Sequence, residues 1–136
     1  MQDQSEGYMQ IGELARRVGI STRTIRYYEE IGLMSTVKRT ENGKRIYTQA
    51  DYQRIRFIQK LKCLGLSLAE MLELEDIYRI HRTNEKVLPR LIELLDEHLA
   101  RVDDRINQLE QLKKEIQEYR ERMVKKLQEL SESKLK

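Results

Sequence analysis

Tryptophan is absent from this chain of 136 residues, phenylalanine occurs once, and aromatic residues make up only 6%. So few rings cannot fill one large core. Proline occurs once and glycine six times, which sets aside collagen-like, loop-rich and low-complexity folds. A single cysteine excludes an internal disulfide framework and a multi-thiolate zinc site within one chain. No apolar run reaches the roughly 18 residues that a membrane helix needs. The start of the chain, Met1 to Gly7, is polar and acidic, unlike a secretory signal, so a soluble cytoplasmic protein is expected.

What is present is charge. Charged residues make up 36% and apolar ones 39%. With little Gly or Pro, that balance predicts long amphipathic helices. The formal net charge of +3 hides an asymmetry. Residues 1–62 carry 12 Lys/Arg against 7 Asp/Glu, and residues 63–136 carry 14 against 16. A basic front half points to a polyanionic partner.

Ile11, Leu14, Ala15 and Val18 recur at helical spacing, and Gly19 ends that helix. Ser21 is an N-cap for a second helix, Thr22 to about Ile31, closed by Gly32. Two short helices joined by a tight turn predict a helix-turn-helix, with Ile25, Tyr28 and Leu33 packed on Leu14 and Val18. The run Val37 to Tyr47 contains Asn42-Gly43 between β-formers, which predicts a two-stranded ribbon with a type I′ turn. Thr48 and Asp51 open a third helix to about Leu64, with Ile55, Ile58, Leu61 and Leu64 as its apolar stripe. Ser67 and Glu70 form a capping box for a fourth helix, Leu68 to about Ile80.

From Leu88 the apolar residues step alternately by four and three: Leu88, Ile92, Leu95, Leu99, Val102, Ile106, Leu109, then Ile116 beyond Lys113. That repeat, carried on to Leu130, predicts a left-handed coiled coil. A helix of about 40 residues is roughly 60 Å long, too long for the remaining chain to cover. A homodimer is therefore expected. Lys113 and Arg120 interrupt the seam, and fixing its register is the favoured reading.

On the second helix, Ile25 and Tyr28 must face inward, which leaves Thr22, Arg23, Arg26 and Tyr27 outward. Arginine and threonine near the start of such a helix can reach base edges in a major groove. Lys38, Arg39, Lys44 and Arg45, with Tyr47 interleaved, make the ribbon a basic wing suited to phosphates. Arg54, at the start of the third helix, is a further phosphate candidate.

Ile11-Gly12-Glu13-Leu14-Ala15, the Thr24-Ile25-Arg26-Tyr27-Tyr28-Glu29 run, Gly32-Leu33 and the Gly43-Lys44-Arg45-Ile46-Tyr47 wing together resemble the MerR family of bacterial transcription regulators. The resemblance covers about residues 8 to 80. It implies a mainly α protein with a winged helix-turn-helix head at 8–80 and a long dimerisation helix at 84–130, paired as an antiparallel coiled coil. Residues 1–7 and 131–136 read as disordered tails, with no separate C-terminal effector domain. The resemblance also implies an inverted-repeat promoter operator, distorted so that RNA polymerase reads both promoter elements, and it places Arg26, Tyr27, Arg45 and Tyr47 against DNA. Gln10 and Lys44 depart from the usual pattern, Lys44 replacing a wing aromatic.

No catalytic constellation is visible, so an enzyme is not expected. No metal site is expected either: Cys63 reads as a small residue tucked under the core, and His81 and His98 do not cluster. No cofactor is implied, and the effector stays open, an acyl-CoA being one possibility drawn from the resemblance. The alternatives are an architectural DNA-binding protein without a switch and a coiled-coil adaptor whose basic head binds an acidic protein.

Overall fold

The computed structural model describes residues 7–35 and 38–135. The chain divides into two compact units, one reaching to Leu94 and one beginning at Leu95. The expected tail at 1–7 lies outside the described residues up to residue 6, and so does Val37 of the expected ribbon.

In the first unit, strand β1 (Tyr8–Met9) leads into helix α1 (Ile11–Val18). Gly19 closes α1 with φ 73°, a left-handed conformation that glycine adopts freely. Helix α2 (Thr22–Glu30) starts at Ser21, whose hydroxyl accepts the Thr24 amide at 3.1 Å. Strands β2 (Lys38–Arg39) and β3 (Arg45–Thr48) form the ribbon. Helix α3 (Gln49–Cys63) opens with a Thr48–Asp51 capping box and α4 (Leu68–His81) with a Ser67–Glu70 one. Helix α5 runs from Asn84 to Leu135, with Pro89 in its second turn. It therefore continues through 131–135, where the sequence suggested a tail; the Gly/Pro-free charged run to the end contains nothing that breaks it.

The ribbon differs from expectation in two ways. It is three-stranded, in the order β1-β3-β2, with Met9 opposite Tyr47 and Lys38 opposite Ile46, all antiparallel. A two-residue strand has no alternation to read, so β1 left no signal in the sequence. The turn is also not type I′. Among non-glycine residues described, only Arg82 has positive φ, so Asn42 does not. Instead Thr40 and Lys44 close a three-residue loop through the Thr40 amide and Lys44 carbonyl at 2.9 Å. Gly43 sits at φ 85° and donates back to the Thr40 carbonyl. This is the common alternative hairpin with a glycine bulge.

The core gathers Leu14 and Val18 of α1, Ile25 and Tyr28 of α2, Tyr47 of β3, and Ile55, Ile58 and Leu61 of α3. Gln59 of α3 donates to the Val18 carbonyl at 2.6 Å, capping the end of α1. Met71 and Leu74 of α4 and Val87 and Leu94 of α5 extend the core. One stripe assignment fails: Leu64 is exposed and Leu66 is buried in its place, because α3 ends at Cys63 and the turn carries Leu64 outward. Cys63 is also exposed rather than tucked under the core, since it lies about 200° around the helix from Leu61.

The start of α5 carries two apolar lines. Val87 and Leu94 are buried, with Leu91 half-buried between them. Arg90 reinforces that side by donating to Glu73 of α4 at 2.5 Å. The neighbouring line of Leu88 and Ile92 is exposed. In the second unit the predicted seam remains open: Leu99, Val102, Ile106, Leu109 and Ile116 are each about half exposed or more. Leu112 and Tyr119 flank the Leu109–Ile116–Met123 line on the side opposite Lys113 and Arg120, so apolar surface runs on past those two charges.

Leu14 is fully buried. Leu14→Ala should lower head stability by about 2–5 kcal/mol in urea denaturation, whereas Leu64→Ala should change it by less than about 1 kcal/mol.

Candidate nucleic-acid interface

Helix α2 sorts its residues as its sequence requires. With Ile25 and Tyr28 buried, Arg23, Arg26 and Tyr27 stand exposed and Thr22 is half-buried at the first turn. The Tyr27 and Tyr28 rings lie 6.4 Å apart and tilted by 46°, so the inner ring supports the outer one. Lys38, Arg39 and Lys44 are exposed on the ribbon. Arg39 also donates to the Gly43 carbonyl at 2.8 Å, which braces the loop.

Arg45 and Tyr47 are two apart on β3 and therefore share a face. That face meets α2 at Glu29. Arg45 donates to Glu29 Oε1 at 3.1 Å, and the Tyr47 hydroxyl donates to the same oxygen at 3.3 Å. One carboxylate thus clamps the wing to the helix. The Glu29 side chain is only 7% exposed. Burial raises its pKa above the usual carboxylate value, and the Tyr47 hydrogen bond and Arg45 charge oppose that rise only in part. Burial likewise raises the pKa of the Tyr47 hydroxyl.

This geometry takes Tyr47 out of the expected DNA contacts and commits Arg54 partly to the protein. Tyr47 is 1% exposed, so its ring is core and cannot lie on DNA. Arg54 is turned inward on the face of α3 that also carries Ile58 and Leu61. It donates to the Leu33 carbonyl at 3.1 Å and pairs with Glu75 of α4. Burial pulls its pKa below the usual guanidinium value. Arg45 and Arg54 each keep about a third of the side chain exposed, and each is partly committed to a glutamate, Glu29 and Glu75 respectively. The remaining candidates, Thr22, Arg23, Arg26, Tyr27, Lys38, Arg39 and Lys44, lie on α2 and the wing that Glu29 joins.

The roles of Glu29 and Glu75 depend on partners that are distant in the sequence. Glu29 was visible only as the end of the Arg-Tyr-Tyr-Glu run, and its partners are 16 and 18 residues away. Glu75 gave no local signal. Among the described residues no group of three or more His, Cys, Asp or Glu is placed to hold a metal ion, and no helix is long and apolar enough to cross a membrane.

Residues 9–77 match the model of the MerR HTH family regulatory protein, and residues 52–119 match the MerR DNA-binding model. The chain belongs to the MerR family. It is a transcriptional regulator and not an enzyme. It is 34% identical over 116 residues to the HTH-type transcriptional regulator ZntR homolog of Haemophilus influenzae, covering 85% of this chain and 84% of that one. It is 38% identical over 110 residues to ZntR of Escherichia coli, covering 79% and 74%. Among solved structures, a MerR family regulator of Listeria monocytogenes aligns with TM-score 0.74 and 28% identity over 93% of this chain and 97% of that one. HiNmlR, a MerR family regulator lacking the sensor domain and solved bound to promoter DNA, aligns with TM-score 0.59 and 29% identity, covering 76% of each chain.

Because folding raises the pKa of Glu29, its contribution to stability is greatest below the ordinary carboxylate range and is lost as pH rises through the shifted value. Glu29→Gln removes that titration. Wild-type stability minus Glu29→Gln stability, from melts between about pH 4 and about pH 7, should fall with rising pH. A constant difference would show that burial does not dominate at Glu29.

Proposed function

We propose that this regulator acts in the bacterial cytoplasm as a homodimer that binds an inverted-repeat promoter operator and distorts it so that RNA polymerase can use both promoter elements. The Glu29 clamp carries this reading. It holds a basic wing in fixed relation to the exposed Arg23, Arg26 and Tyr27 of α2. A helix that reads bases beside a wing that grips phosphates is a sequence-specific DNA reader.

The dimer rests on α5. Apolar side chains at alternating four- and three-residue steps, about half exposed over many turns, call for a matching surface. A second copy supplies the same repeat. Two symmetry-related heads then favour two inverted half-sites. HiNmlR, which aligns with 76% of this chain and was solved bound to promoter DNA, supports promoter DNA as the partner. Distortion follows from indirect readout, in which binding energy is spent on deforming the duplex.

Arg26→Ala should weaken binding to a selected operator by about 1–3 kcal/mol if the guanidinium makes a bidentate base contact, with the melting temperature unchanged. Gel shifts against salt and competitor DNA measure this, and wild-type affinity would remove Arg26 from the interface. Equal binding to every duplex would favour an architectural protein instead, and no duplex binding would favour an adaptor. Leu99→Asp places a charge in the seam and should yield monomers in sedimentation. An intact dimer would place the interface elsewhere.

A further inference from the structure

An open cleft of about 960 Å³ lies between the end of α2, the wing and the end of α4. Five arginines line it: Arg26, Arg39, Arg45, Arg79 and Arg82. Three glutamates line it too: Glu29, engaged by Arg45 and Tyr47, Glu75, engaged by Arg54, and the exposed Glu30, so the arginines still outnumber the glutamates. The cleft is therefore a positive surface continuous with the exposed face of α2.

Its far wall comes from the end of α4, which neither the helix-turn-helix nor the wing includes. Arg79 is fixed there, paired with Asp76 at 3.0 Å and donating to the Gly32 carbonyl at 3.4 Å. Arg82 differs. It is exposed, and its guanidinium has no ion-pair partner among the described residues. Its backbone is left-handed, φ 56° and ψ 29°, alone among the described non-glycine residues. In this chain Gly19, Gly32 and Gly65 take the positive-φ position after α1, α2 and α3. After α4 the same conformation is held by an arginine, which strains the backbone where glycine would not. That conformation closes α4 through the Arg82 amide on the Tyr78 carbonyl at 2.7 Å, and it leaves an exposed guanidinium, unpaired among the described residues, on an arginine-lined cleft, placed to meet an anion.

We infer that Arg82 contacts a DNA phosphate outside the helix–wing surface and so ties the turn between α4 and α5 to the backbone of the bound duplex. This rests on the DNA-binding reading above. A guanidinium beyond a helix end, on an open cleft, suits a phosphodiester better than a base edge. The cleft shares Arg26, Arg39 and Arg45 with the proposed interface, so the phosphate belongs to the same duplex. Arg82 is two residues before α5 begins. A contact there links how the head sits on DNA to the start of the helix that carries the apolar seam.

The test compares wild type, Arg82→Gly and Arg82→Lys on a duplex selected by the wild type from a random-sequence pool, over a salt series. Arg82→Gly keeps the backbone conformation, so it should melt at or above the wild-type temperature. It should nevertheless bind at least several-fold more weakly, with the slope of log affinity against log salt shallower by about 1.8, as for two phosphates fewer neutralised, one by each head of the dimer. Arg82→Lys keeps the charge and should retain most of the slope. Wild-type affinity and slope in Arg82→Gly would overturn the Arg82 contact and leave the DNA reading intact. A wild-type chain that enriches no duplex would overturn both.

Discussion

Helix α5 has two hydrophobic obligations on faces about 100° apart, and much of the molecule follows from how they are met. One line, Val87, Leu91 and Leu94, closes the head beneath α4, with the Arg90–Glu73 pair at its edge. The adjacent line starts at Leu88 and Ile92 and runs on through Leu99, Ile106 and Leu109 with no cover in its own chain among the described residues. The low apolar and aromatic content of the sequence takes on a physical meaning here. The head needs only a small core, and the long helix has half of one. A matching stripe on a second copy would complete it, and would bring two heads to one piece of DNA.

The head solves a different problem, which is to hold a short ribbon steady. Three strands with two to four residues each have little stability of their own. Tyr47 supplies the missing packing as a core residue, and Glu29 supplies direction by accepting from both Tyr47 and Arg45. Arg54 does the same on the other side, joining the Leu33 carbonyl to Glu75. Two of the charges that look most like phosphate ligands in the sequence thus work partly inside the protein. Exposed charges on α2, the wing and the end of α4 remain on one cleft to meet a polyanion.

What the sequence disclosed was local. Ser21, Thr48 with Asp51, and Ser67 with Glu70 mark helix starts because a side-chain oxygen satisfies an amide three residues on. Gly19 and Gly65 mark ends because positive φ is easy for glycine. The Arg-Tyr-Tyr-Glu run and the wing spacing sufficed for the MerR family. What stayed hidden depended on distant partners. Strand β1 exists only because β3 pairs with it, and the inward turn of Arg54 only because Glu75 and Leu33 converge on it. Cys63 and Leu64 were misplaced because periodicity does not say which residue a helix ends on. Lys113 and Arg120 look like breaks in the seam until Leu112 and Tyr119 are seen on its other flank.

Hydrogen exchange of residues 95–130 as a function of protein concentration asks whether a second copy covers the open face of α5. A lone helix with half-exposed apolar residues opens readily, whereas a paired one is held by its partner. Strong amide protection is expected at high concentration, falling on dilution together with the dissociation of the dimer, while the core amides of the head stay protected. Protection of 95–130 that is equal at all concentrations where the chain is shown to be monomeric, or absent where it is dimeric, would contradict a helix completed by its partner.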